Sequence, residues 1–89
     1  MFMRIVYVIQ HSGTNEIYIG KTDNFKRRLH EHNNGEQTST RRKSGKWVLV
    51  YAETYRNNSD ADRREEAFKQ HGSNKRWLKD RIKESLLKN

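Results

Sequence analysis

Residues 4–20, with the sequence RIVYVIQHSGTNEIYIG, decide the fold of this chain. The first seven are β-branched or aromatic almost throughout, as in a buried central strand. Residues 11–15 form a cluster of turn-forming residues, and residues 16–20 read as a second strand. Because a short loop containing glycine joins the two, the stretch predicts a β-hairpin.

A helix is predicted directly after the hairpin. Thr22 or Asp23 can cap it, and it runs to about Asn33 before Asn34 and Gly35 end it. The next stretch, residues 35–46, combines Gly, Ser, Thr and basic side chains without any periodicity. We interpret residues 35–46 as a mobile loop.

The remaining sequence predicts one strand and two helices. Residues 47–55 favour a third strand, residues 60–70 a helix ended by Gly72, and Ser73 caps a last helix with Leu78, Ile82 and Leu86 along one stripe. We therefore expect an α+β fold, a three-stranded antiparallel or mixed β-sheet flanked by helices in the order β-β-α-β-α-α. No linker divides it, so residues 1–89 are expected to form a single domain.

Composition narrows the classes of function. The chain has 89 residues, 19 Lys and Arg against 11 Asp and Glu, and a net charge of +8. Such an excess favours a polyanionic partner, most often nucleic acid, although a basic surface also serves solubility. With no cysteine, disulfides, thiolate zinc sites and thiol nucleophiles are excluded. No apolar run approaches a membrane span and no signal peptide is evident, so a cytoplasmic protein is expected.

Glu65 is placed unusually for a charged residue. Ala61, Glu65 and Phe68 recur at i, i+4 and i+7, which puts this carboxylate on the helix face that packs on the sheet. A carboxylate there needs a salt bridge or a bound cation. Spacing alone does not decide whether Glu65 forms a salt bridge or binds a metal ion.

Two tyrosines stand in the middle of the hairpin strands. A register that pairs Tyr7 with Tyr18 would put both hydroxyls on one face, where they could grip a phosphate or handle a proton, or simply fill the core. Gly20 leaves backbone space beside Tyr18 for a ligand. On the first helix, Arg28 and His32 lie four residues apart, and an arginine so placed can hold a phosphate and stabilise its charge.

Together these residues resemble the GIY-YIG nuclease superfamily over about residues 4–82. Ile5-Val6-Tyr7 is similar to the first signature with its leading glycine replaced, and Tyr18-Ile19-Gly20 matches the second signature fully. Residues 21–29 look like the family's helix, so Arg28 falls on the catalytic arginine, His32 on the histidine one turn on, and Glu65 on the metal-binding glutamate. Two strands that each carry a tyrosine, followed by an arginine and a glutamate on successive helices, form a pattern specific to this family. The length of the chain resembles that of a small stand-alone member.

The resemblance implies a metal-dependent endonuclease that hydrolyses DNA phosphodiester bonds in repair, recombination, or the DNA processing of a mobile element or phage. Glu65 would bind one Mg²⁺ or Mn²⁺. Tyr7 would be the general base, with nearby cations lowering its pKa, while Tyr18 and His32 orient water and phosphate and Arg28 stabilises the developing charge. How the proton transfer is divided between tyrosine and metal stays open, as does whether the owner is a bacterium or a phage.

The other basic residues suit contacts with a phosphate backbone, which position a duplex without reading its sequence. The expected contacts to DNA, including branched or damaged DNA, come from Gly20, Lys21, Lys26, Arg27, Arg41, Arg42, Lys43, Lys46, Asn74, Lys75 and Arg76. Asn74 is also the nearest counterpart of a further asparagine of the family. Cutting both strands with one site requires a homodimer or two visits, and a partner protein would have to supply sequence specificity.

Two other functions remain open at this point. The first is a nucleic-acid-binding module that keeps the fold and has weak or no catalysis, in line with the +8 charge. The second is a regulatory subunit whose basic surface binds an acidic protein.

Overall fold

The computed structural model describes residues 3–42, 44–70 and 76–87. Its elements are β1 (Arg4–His11), β2 (Ile17–Thr22), α1 (Phe25–Asn33), a short 3-10 helix (Thr38–Thr40), β3 (Trp47–Tyr55), α2 (Asn58–Gln70) and α3 (Arg76–Arg81). The sheet has the strand order β2-β1-β3 and is antiparallel throughout. The predicted α+β fold and the order β-β-α-β-α-α are confirmed. None of the helices in the described ranges has the length and apolar character needed to cross a membrane.

The central strand β1 has helices on both faces. Alternation along the strand sends Val6 and Val8 to one face, where they pack with residues of α2 and α3, and sends Tyr7 and Ile9 to the other face, which α1 covers. Both faces are thus removed from water. This double burial explains why β1 reads as a continuous apolar run rather than as an alternating one.

The hairpin register differs from the predicted one. Tyr7 lies opposite Gly20, and Tyr18 lies opposite Ile9, because the turn at residues 12–15 closes the hairpin where the His11 amide donates to the Glu16 carbonyl at 2.9 Å. Strand β2 also continues to Thr22, two residues beyond the predicted end. The pairing of Tyr7 with Tyr18 is therefore wrong. The two tyrosines still share a face, since they are diagonal neighbours in the ladder.

Helix α1 begins later than predicted and ends as predicted. The expected cap at Thr22 or Asp23 is wrong, since Asn24 is the N-cap and its side chain accepts a hydrogen bond from the Arg27 amide at 3.1 Å. At the other end Gly35 has φ of +72°, a conformation that glycine adopts without steric cost.

The segment predicted as a mobile loop contains ordered structure. Its 3-10 helix carries Thr40, which is 1% exposed, and the carbonyl of Thr40 accepts a hydrogen bond from Trp47 Nε1 at 2.7 Å. The Asn33 side chain also bonds both backbone polar groups of Trp47, at 2.7 and 3.2 Å. These bonds fasten the segment to the end of α1 and the start of β3. Lys43 lies outside the described residues.

The C-terminal part is less helical than predicted. Helix α3 ends at Arg81, so Ile82 and Leu86 reach the core from the turns that follow it rather than from the helix. These turns are held to the sheet by the buried Gln10, whose side-chain oxygen accepts the Leu87 amide at 2.7 Å. Helix α2 begins two residues before its predicted start. The predicted boundaries at Gly72 and Ser73 lie outside the described residues.

Glu53 of β3 ties α2 to the sheet. Its carboxylate accepts two hydrogen bonds from Arg64, at 2.8 and 3.1 Å, and one each from the hydroxyls of Tyr51 and Tyr55. A two-pronged arginine–carboxylate pair fixes both position and orientation. The pair therefore sets the rotation of α2, on which Glu65 follows Arg64 directly.

We expect part of the stability at neutral pH to come from Glu53. Burial alone would raise its pKa, but the hydrogen bonds from Arg64, Tyr51 and Tyr55 lower it from 4.5 to about 2. A lowered folded-state pKa stabilises the protein above about pH 4.5, and this stabilisation of roughly 3 kcal/mol is lost as the pH falls toward 2. In urea unfolding, Glu53→Gln should be less stable than the wild type at pH 7, and should lose less stability between pH 5 and pH 3. An identical pH dependence of the two proteins would contradict this.

Candidate active site

Three of the five predicted catalytic residues meet on the sheet face that α1 covers. Tyr7 is 1% exposed, and its hydroxyl lies 2.8 Å from Nε2 of His32, which is 2% exposed. The ring of Tyr18 packs at 5.1 Å from the His32 ring and 6.5 Å from the Tyr7 ring. The contact between Tyr7 and His32 joins residues that are 25 positions apart, so it depends on the docking of α1 against β1.

Gly20 creates the room that Tyr7 occupies. A Cβ atom built on Gly20 would lie 2.3 Å from the Tyr7 hydroxyl and 2.5 Å from Cζ of the same ring. The space predicted for a ligand beside Tyr18 is therefore taken by the phenol across the ladder. The glycine of the second signature is needed here for close packing against the first signature's tyrosine.

Gly20→Ala should displace the Tyr7 ring and break its hydrogen bond to His32. We expect a loss of about 1–3 kcal/mol in the free energy of unfolding, because the ring is buried and has no free space to enter. Urea unfolding measures this loss. Gly13→Ala is a suitable control, since its Cβ would come no nearer than 3.2 Å to its neighbours. A Gly20→Ala protein as stable as the control would contradict the steric argument.

Arg28 lies one helical turn before His32. Its side chain is 30% exposed, and one terminal nitrogen lies 3.3 Å from Glu31. Its Nε is buried, however, and has no hydrogen-bond partner within the described ranges. A buried donor without a partner costs free energy unless a bound group satisfies it. Arg28 is therefore suited to an anion that completes its hydrogen bonding.

Glu65 stands on α2 between two core residues, as the helical spacing predicted. Ala61 and Phe68 are fully buried, and the Glu65 side chain is 22% exposed. Its carboxylate lies 3.4 Å from Lys69 Nζ, so the salt bridge considered from the sequence is present. The charge of Glu65 also raises the pKa of Tyr7, by less than burial and Tyr18 do.

Tyr7 and His32, which share a hydrogen bond, are both neutral at pH 7. Burial, and after it the neighbouring Tyr18, raises the pKa of Tyr7 well above its usual value, and the opposing effect of Arg28 is smaller. The expected lowering by a nearby cation is therefore present, from Arg28, but burial outweighs it and the net shift of the Tyr7 pKa is upward. Burial also lowers the pKa of His32, and the positive charge of Arg28 lowers it further. The pair is thus a protonated phenol beside an uncharged imidazole.

The donor set suits a hard divalent cation that is held mainly by water and substrate. In the described part of the chain, no group of three or more His, Cys, Asp or Glu side chains comes together to hold a metal. Mg²⁺ does not require such a group, because it keeps several waters and is commonly bound by one or two carboxylates plus phosphate oxygens. Glu65, which is half-buried on α2, fits the role of that carboxylate.

Several cations predicted to contact DNA are engaged within the protein. They are Lys21 with Asp62, Arg27 with Asp23 and Glu31, Arg42 with Glu16, and Arg41 with the carbonyl of Gly35. Arg42 is held most firmly, by two hydrogen bonds of 2.8 and 2.7 Å and by stacking over the Trp47 ring. Their contribution to phosphate binding is reduced by these partners within the protein.

The other predicted contacts are placed differently. Lys26 and Lys46 are exposed and have no carboxylate partner in the described residues, and Arg76 is exposed at the start of α3. Gly20 is buried in β2. The predicted residues Lys43, Asn74 and Lys75 lie outside the described residues.

One residue of the site was missed from the sequence. The hydroxyl of Thr40 lies 2.7 Å from Nδ1 of His32, on the side of the ring opposite Tyr7. A lone threonine in a polar segment carries no periodic signal, so no pattern in the sequence points to it.

Comparisons with known proteins identify the family of this chain. A family model described as the GIY-YIG catalytic domain matches residues 3–79. A UPF0213 protein of Desulfotalea psychrophila is 43% identical over 67 residues, which are 73% of this chain and 59% of that protein, so the chain spans about three fifths of this relative. The solution structure of a UPF0213 protein from Bacillus halodurans superimposes with a TM-score of 0.54 at 24% identity, over 85% of this chain and 80% of that one, and supports the fold. With the match of the family model over most of its length, the chain belongs to the GIY-YIG family, a nuclease superfamily.

Proposed function

We propose that this protein is a metal-dependent endonuclease that hydrolyses DNA phosphodiester bonds. The observation that carries the proposal is the buried hydrogen bond of 2.8 Å between Tyr7 and His32. One helical turn before His32 lies Arg28, whose Nε has no partner among the described residues. Burying a phenol and an imidazole next to an arginine Nε that has no partner among the described residues costs free energy that an apolar cluster would not. A catalytic role accounts for that cost.

Tyr7 and His32 form a path for the proton of the attacking water. Since the Tyr7 phenol is protonated at neutral pH, it can take a proton from water only if its own proton leaves at the same time. Nε2 of His32 is within hydrogen-bond reach of that proton, and the lowered pKa keeps the ring uncharged and able to accept it. The proton of the water ends on Tyr7, and the phenolic proton of Tyr7 ends on His32.

Arg28 and Tyr18 act on the phosphate. The guanidinium can donate to non-bridging oxygens and stabilise the charge that develops during attack, and its unpartnered Nε is one of the donors. The hydroxyl of Tyr18 forms no hydrogen bond to another described residue. It is therefore available to orient the water or a phosphate oxygen.

Glu65 would hold the divalent ion, Mg²⁺ or Mn²⁺. When bound, the ion supplies positive charge that polarises the phosphate and stabilises the leaving oxygen. Binding there requires the Glu65 carboxylate to give up Lys69, whose pairing across one helical turn is weak.

The surface suits weakly specific binding of a nucleic-acid backbone. Exposed cations such as Lys26 and Lys46 contribute charge, and the described residues contain none of the modules that read a long base sequence. We infer a substrate that is recognised by its structure, such as a branched or damaged duplex in repair, recombination or the DNA of a mobile element or phage. Cutting of both strands would then require a homodimer, two visits or a partner protein.

The deciding experiment incubates the purified protein with supercoiled plasmid and with branched duplexes in Mg²⁺, Mn²⁺ or EDTA. Cleavage is expected in either metal and not in EDTA. A Glu65→Ala protein purified in parallel serves as the control for contaminating nucleases. Equal cleavage by both proteins would contradict the proposal.

A nucleic-acid-binding module without catalysis is the second candidate. The Glu65–Lys69 pair favours it, since a carboxylate that is committed to a lysine needs no metal. Binding that is tight and salt-sensitive, without cleavage in any metal, would support this candidate.

A further inference from the structure

Both ring nitrogens of His32 are engaged in the interior of the protein. Nε2 lies 2.8 Å from the Tyr7 hydroxyl, and Nδ1 lies 2.7 Å from Oγ1 of Thr40. His32 is 2% exposed and Thr40 is 1% exposed, so water does not compete for either bond. A neutral imidazole donates from one nitrogen and accepts at the other, and its partners decide which.

The surroundings of Thr40 decide the direction of these bonds. Its hydroxyl has a single proton, and the Gln37 carbonyl, which can only accept, lies 3.3 Å from Oγ1. When the hydroxyl donates to that carbonyl, Oγ1 is left as the acceptor for the short bond to Nδ1. The proton of His32 is then on Nδ1, and Nε2 has a lone pair directed at the Tyr7 hydroxyl.

We propose that Thr40 is a positioning residue that holds His32 in the tautomer able to receive the phenolic proton of Tyr7. The proposal rests on the proposed nuclease function, in which that proton leaves as Tyr7 deprotonates water. In the opposite tautomer, Nε2 would donate to the Tyr7 oxygen. The phenolic proton would then have no acceptor, and Tyr7 could not act as a base.

The backbone around Thr40 keeps its hydroxyl in place. The Thr40 amide donates to the Gln37 carbonyl at 3.1 Å, and the Thr40 carbonyl accepts the bond of 2.7 Å from Trp47 Nε1. These bonds fix Thr40 relative to β3, while His32 belongs to α1. Thr40 therefore orients the imidazole from outside the helix that carries it, as an outer partner orients a functional histidine in other sites.

The test observes the imidazole nitrogens of His32 directly by ¹⁵N NMR of histidine-labelled protein, assigned by comparison with His32→Gln. We expect a protonated Nδ1 and an unprotonated Nε2 in the wild type and in Thr40→Ser, which keeps the hydroxyl. Thr40→Val, which has the same shape without the hydroxyl, should shift His32 toward the other tautomer. It should also lower the cleavage rate by roughly 10- to 100-fold, and Thr40→Ser should restore most of it.

Each other outcome is informative. A protonated Nε2 in the wild type, or a Thr40→Val protein with an unchanged tautomer and rate, would overturn the proposal. If Thr40→Val does not fold, the wild-type and Thr40→Ser spectra still decide the tautomer. If no protein cleaves DNA but the tautomer depends on the Thr40 hydroxyl, the hydrogen-bond assignment is supported and the nuclease function is contradicted.

Discussion

Glu65→Gln is expected to lower metal-dependent cleavage by roughly 10²- to 10³-fold, the size of effect found when a main source of charge stabilisation is removed. Glutamine has the same shape and keeps the packing between Ala61 and Phe68, but its amide lacks the charge that attracts a divalent ion. Within the described residues, only the pair with Lys69 is lost, and a pair of this kind contributes less than about 1 kcal/mol. The loss should therefore appear in the metal dependence of cleavage, with little change in urea unfolding.

Glu66→Gln is the matched control for Glu65. It removes the same charge from the next residue of α2, whose exposed carboxylate accepts a hydrogen bond from Gln70. The cleavage rate of this variant should stay close to that of the wild type. Equal losses from both substitutions would mean that the net charge of α2 matters and that Glu65 has no special role.

Tyr7→Phe is expected to lower cleavage by roughly 10²- to 10⁴-fold, the usual contribution of a general base. Phenylalanine keeps the ring in its place against Phe25 and beside Gly20, but it removes both the base and the bond to His32. Because Nε2 of His32 then lacks its buried partner, we also expect a loss of about 1–3 kcal/mol in the free energy of unfolding. Rates are therefore compared at a temperature at which both proteins are fully folded.

Tyr55→Phe is the matched control for Tyr7→Phe. It also removes a phenol hydroxyl, but one that lies away from His32. The Tyr55 hydroxyl bonds to Glu53 on β3 and has no contact with His32. Its removal should reduce stability and leave the cleavage rate of the folded protein unchanged. If Tyr7→Phe cleaves DNA as fast as Tyr55→Phe, Tyr7 is not the base.

The sequence predicted those site residues whose position follows from periodicity. The two tyrosines share a face because alternation in a hairpin puts them there, and Glu65 lies between Ala61 and Phe68 because helical spacing does. Their placement relative to one another was less predictable. The register depended on which residues close the hairpin turn, and local composition does not fix that closing pair as His11 and Glu16.

The features missed from the sequence are those that side-chain hydrogen bonds create over long distances in the chain. Thr40 reaches His32 through a 3-10 helix that Trp47 holds, and Arg64 meets Glu53 across 11 residues. Hydrogen bonds of this kind leave no periodic pattern in the sequence from which they could be predicted. The same reason explains why the raised pKa of Tyr7 was not predicted, since its burial, which outweighs the effect of Arg28, depends on the docking of α1.

The central position of β1 in the sheet affects how the candidate site can move. The strand is bonded to β2 on one side and to β3 on the other, and Val6 and Val8, the neighbours of Tyr7, belong to the larger hydrophobic cluster. Amide hydrogens in such a strand exchange with solvent only when the whole domain unfolds. Tyr7 is thus carried by the segment that opens last, so substrate cannot gain access by fraying of this strand, and any gating movement must come from the elements packed around it.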